Sequence, residues 1–168
     1  MHWHRREPSD RQVRHLADLL LKSLDPCDTG RLAAAVWQVV RADGPQRHLM
    51  PPLLMQLATT AATLVRVRIG TDDPGDVFWV RLHDGRTVLE IDDVPATTRA
   101  MLRAVLALLA DHPDDARIHV RAIVDSADPL DQAAAACEAV LWIHNLTDLT
   151  HRTADTRGVV LECPSRRC

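Results

Sequence analysis

Val77-Phe78-Trp79-Val80-Arg81-Leu82-His83-Asp84-Gly85-Arg86-Thr87-Val88-Leu89-Glu90-Ile91 is the one stretch that clearly breaks a helical periodicity. Two β-prone runs flank Asp84-Gly85. Asp-Gly suits a two-residue type I′ turn, because both central positions need positive φ. That turn sets His83 opposite Arg86 and predicts the pairs Leu82–Thr87, Val80–Leu89 and Phe78–Ile91. This face is apolar and is expected to pack on helices. The other face pairs Arg81 with Val88 and Trp79 with Glu90. A one-residue slip would exchange the two faces. A lone hairpin is marginal in water, so it has to dock on something.

The rest of the chain supplies the helices. Before the hairpin, Val13, Leu16, Ala17, Leu20 and Leu24 repeat at three-four spacing, and Asp25-Pro26 closes that helix. A second helix runs from Asp28 or Thr29 to about Ala42 on Leu32, Val36, Val39 and Val40, and Asp43-Gly44-Pro45 stops it. A third starts after Pro51-Pro52 and runs to about Ile69, although Val65, Val67 and Ile69 also alternate as a strand would. After the hairpin, Pro95, Pro113 and Pro129 each open a helix beside an aspartate. Pro presets φ and Asp answers the helix dipole. The expected fold is mainly α, about six helices packed as a bundle, with one small β-hairpin. It becomes α+β if residues 64–69 or 159–161 add strands. Residues 1–8 read as a polar lead, 9–150 as one helical domain, and 151–168 as a tail.

Composition narrows the function. The chain has 168 residues, 46% of them hydrophobic, enough for one core and too few for two ordinary domains. Twenty Lys and Arg stand against 23 Asp and Glu, for a net charge of −3, which argues against a broadly basic nucleic-acid binder. Arg5, Arg6, Arg11 and Arg14 still make one end positive, so a small DNA-associated regulator is a third, weaker reading. Aromatics are only 3%, which leaves few rings for base stacking. Lys22 is the only lysine, and this Arg-for-Lys, Ala-rich bias points to GC-rich coding and a bacterial source. No run approaches the roughly 20 apolar residues of a membrane span. Met1-His2-Trp3-His4-Arg5-Arg6 is not followed by an apolar run, so no secretory signal is expected. Cys27, Cys137, Cys163 and Cys168 lack CxxC spacing and read as reduced cytoplasmic thiols.

Motifs for catalysis are missing. There is no GxGxxG, no GxxxxGK[ST], no HExxH and no GxSxG. Cys137 and His144 share a helical face, but seven residues span roughly 10 Å of rise, too far for a nucleophile–base pair. His119 and His144 each read as a buried histidine with one partner, and an enzyme or metal site would need histidines and aspartates of distant segments, for example these two, to line one cleft. The aspartates of 72–76, 92–93, 111–115 and 125–131 have carboxylate spacing that suits Mg²⁺ or Ca²⁺, yet most sit where helix capping already explains them. With all nine histidines protonated the net charge would move from −3 to +6, so any partner binding would feel mild acid.

No catalytic residue, metal ligand or cofactor is therefore assigned. The sequence points to a non-catalytic cytoplasmic interaction module (an adaptor, accessory subunit or regulator) with a protein partner or a second copy of itself. Its candidate partner-binding residues are Trp79, Arg81, Val88 and Glu90 on the outward hairpin face, because Trp and Arg are enriched at interface hot spots. The alternative is that Val159-Val160-Leu161 covers that face. The competing function is an Asp/His enzyme or metal protein whose site forms only in three dimensions.

Overall fold

The computed structural model describes residues 10–24, 30–41, 47–70, 79–84, 87–125, 128–147 and 158–162, without the side chains of 47, 79, 80, 82, 84 and 158–162. Among these residues lie six helices: α1 (Asp10–Ser23), α2 (Gly30–Val40), α3 (Met50–Ile69), α4 (Ala96–Leu109), α5 (Pro113–Val124) and α6 (Pro129–Thr147). Three strands accompany them: β1 (Trp79–Asp84), β2 (Thr87–Leu89) and β3 (Gly158–Glu162). The fold is mainly α and bundle-like, as its periodicity requires.

The core centres on α3. Leu53, Leu54, Leu57, Ala58, Ala61 and Val65 are buried on several sides of that helix, and it packs on α1, α4, α5 and α6. A helix that is apolar over most of its circumference belongs inside a bundle. The second inner helix is α6, whose Ala135, Ala136 and Ala139 are buried and let α2, α3 and α4 approach closely. Residues 64–69 are helical. Val65 is fully buried while Val67 is 72% exposed, a separation that helical rotation produces and a strand would not.

Helix ends are finished by particular residues. Gly70 closes α3 with φ +72° and donates its N–H to Arg66 O at 2.9 Å. Asp111 follows α4 with φ +59°; its N–H reaches Leu108 O and that of His112 reaches Ala107 O, the two bonds of a Schellman motif. Asp128 Oδ1 accepts from Leu130 N–H at 2.8 Å, so that aspartate is a cap. The buried Gln132 side chain donates to Val124 O at 2.9 Å and closes α5.

Two arginines join three helix ends. Arg66 Nη2 donates to Leu108 O and Leu109 O at 2.9 and 3.1 Å, and Arg68 Nη1 to Leu146 O at 3.2 Å. The last turn of α3 thus supplies positive charge to the C-terminal carbonyls of α4 and α6, where the helix dipole is negative.

The hairpin forms, but its register corrects the expected one. β1 pairs antiparallel with β2 as Leu82–Leu89, His83–Val88 and Asp84–Thr87. Asp84 belongs to the strand, and Gly85-Arg86 connects the two. Gly85 and Arg86 lie outside the described residues, and the pairing sets Leu82 opposite Leu89 instead of opposite Thr87. The shift is two positions, so the faces do not exchange: Leu89 packs against the core and Val88 is 51% exposed. β3 runs parallel to β1 from Trp79–Gly158 to His83–Glu162, giving strand order β2-β1-β3. Residues 159–161 therefore extend the sheet at an edge.

Candidate functional site

Among the described residues, an open groove of about 1520 Å³ is bounded by α1, α3 and α5. Its floor is the first half of α3. Pro51 and Pro52 occupy the first turn, where their missing N–H groups cost no hydrogen bond, and Met55 follows one turn later. The polar groups of the floor are turned back into the helix. Thr59 Oγ1 donates to Met55 O at 2.8 Å, and Gln56 Nε2 donates to Thr60 Oγ1 at 3.4 Å. The floor therefore offers mostly hydrocarbon.

One wall is the start of α1, where Asp10 and Arg14 are exposed and Val13 is buried. The opposite wall is α5. Ala116, Val120 and Ile123 face the core, whereas Ile118 is 64% exposed between the exposed Arg117 and Arg121. Asp114 and Asp125 stand near the two ends of this wall, and Asp114 pairs with Arg117.

The most perturbed groups lie away from the groove. The Thr98 hydroxyl donates to Glu138 Oε1 at 2.8 Å between α4 and α6. Burial pushes the Glu138 carboxyl above its usual range, against a smaller lowering by that bond. Among the described residues, Glu138 Oε2 and Trp142 Nε1 are buried without hydrogen-bond partners, as is His83 Nε2 on β1. The adjacent Cys137 thiol is pushed up to about 11, first by burial and then by the Glu138 charge. This is an inert thiol, since the reactive form is the thiolate.

Among the described residues, no three His, Cys, Asp or Glu side chains gather to hold a metal. Asp92 pairs with Arg99, Asp114 with Arg117, and Asp128 caps α6. His119 and His144 are both half-buried. Cys27, Cys163, Cys168 and the aspartates of 72–76 lie outside the described residues.

Of the four residues singled out on the hairpin, Arg81, Val88 and Glu90 are exposed, and the Trp79 side chain lies outside the described set. The β1–β2 pairing ends at Leu82–Leu89, so Arg81 and Glu90 lie just beyond the paired residues. No sequence motif marks the groove, although one local signal is present. Ile118 falls off the Ala116–Val120–Ile123 stripe and onto the polar face of its helix.

The chain matches no protein-family model, no curated protein and no solved structure. Among the described residues no helix is long and apolar enough to cross a membrane.

Proposed function

We propose that this chain is a non-catalytic interaction module of a bacterial cytoplasm, and that its groove holds an amphipathic helix from a protein partner. The observation that carries this reading is an apolar floor walled by two helices, with Ile118 largely exposed on one wall. A helix laid there would complete a bundle around α3 and shed water from its own apolar face. Burying the exposed part of Ile118 is worth about 1–2 kcal/mol. α5 has 12 residues, roughly 18 Å at 1.5 Å per residue, enough to face three helical turns. An added strand is a poorer fit for an occupant, because the edges of the described sheet are short, three residues in β2 and five in β3.

The test is amide NMR of the labelled full chain, titrated with an 18-residue synthetic helix carrying a leucine stripe flanked by glutamines. Saturable shifts should gather on α1, the first half of α3 and α5, and Ile118→Asp should abolish them. Shifts confined to other elements, or no saturation, would sink the reading.

A further inference from the structure

We infer that the groove selects a helix with carboxylates on both sides of its apolar stripe, an inference that rests on the docking role proposed above. The charge layout carries it. Acidic groups sit at the margins: Asp10 and Asp114 occupy first turns, where each answers its own helix dipole, and Asp125 lies just beyond α5. Mid-groove the charges are guanidiniums. Arg14 stands on one wall, its Nε directed to Asp10 O at 3.4 Å in its own helix. Arg117 and Arg121 stand on the other, four residues apart around Ile118.

Among the described residues neither Arg14 nor Arg121 has a carboxylate partner, and the Arg117–Asp114 pair is exposed and therefore weak. A helix docking on the floor would bring its flanking positions against both walls. Glutamates there would meet guanidiniums on both sides, as flanking charges do along a coiled-coil seam. Lysines there would meet like charge.

The experiment uses the full chain and three fluorescent 18-residue helices that share one leucine stripe. Their flanks are Glu, Gln or Lys, which have similar helix propensity. Anisotropy at low salt should rank them Glu, then Gln, then Lys, with at least a tenfold gap between the extremes. The gap should shrink as salt is raised. Arg14→Glu with Arg121→Glu should reverse the order, whereas Arg31→Glu, on α2 and outside the groove, should leave it unchanged.

Equal binding of all three, lost in Ile118→Asp, overturns charge selection while leaving the docking role standing. Binding of none overturns the docking role itself. A Glu preference that survives the double Arg variant places the acidic helix elsewhere and overturns the inference. Circular dichroism of each variant separates lost binding from lost folding.

Discussion

Thr98 and Glu138 join α4 to α6 through a hydroxyl–carboxyl hydrogen bond of 2.8 Å, and the second carboxyl oxygen of Glu138 is buried with no partner among the described residues. Burial holds this carboxyl above its unfolded value of about 4.3. Between the unfolded and the folded pKa the folded chain binds more protons than the unfolded one. Stability from this group is therefore greatest below the unfolded value and declines as pH rises toward the folded one. Glu138→Gln removes the titration and keeps an acceptor for Thr98. The variant's urea midpoint should gain on the wild type between pH 4 and pH 7. A difference independent of pH would refute this.

Arg66 is the tie between α3 and the end of α4. Arg66→Ala leaves Leu108 O without one of its donors and Leu109 O without the guanidinium, at a cost of about 1–3 kcal/mol. Hydrogen exchange should accelerate most in the last turn of α4. Uniform acceleration across the chain would mean that the loss is global and not a loss of this cap.

Asp111 adopts φ +59°, a left-handed conformation that costs an L-residue about 1–2 kcal/mol and glycine almost nothing. Its backbone makes the closing bond of α4, and its side chain is exposed. Asp111→Gly should therefore raise stability by about 1 kcal/mol, read as a higher melting temperature. A lower one would show that the carboxylate itself contributes.

Cys137 should resist alkylation. In a Cys27→Ser, Cys163→Ser, Cys168→Ser background, iodoacetamide at pH 8 should modify it far more slowly in the folded chain than in urea. Its thiol at about 11 is almost wholly protonated there. Equal rates in the two states would contradict the burial of this thiol.

Particular residues explain what the sequence made legible. Asp25-Pro26, Gly70 and the three opening prolines act within a turn of themselves, so helix ends can be read locally. The stripes of α1, α2 and α5 are local too. The hairpin was legible in its faces, because apolar alternation has a period of two. Its register was not, because Asp84-Gly85 and Gly85-Arg86 both satisfy two-residue turn chemistry, and the observed pairing differs from the first of these by two positions. The partner of Arg66 lies 42 residues away and that of Arg68 lies 78 away, so nothing near either arginine marks it as a cap. The groove belongs to the same class. Its walls come from the first and fifth helices and its floor from the third, and only packing brings them together.

The parallel pairing of β1 with β3 has a consequence for the order of assembly. As the chain leaves the ribosome, β1 emerges with only the three-residue β2 beside it, and a two-stranded ribbon is marginal. The strand that completes the sheet follows only after α4, α5 and α6. Translation at about 5–20 residues per second makes that a wait of seconds, while helices form within about a microsecond. The helices are therefore all synthesised before β3 is available to pair with the second edge of β1. A nascent chain stalled before Gly158 would expose that edge to other stalled chains, which is where its aggregation would begin.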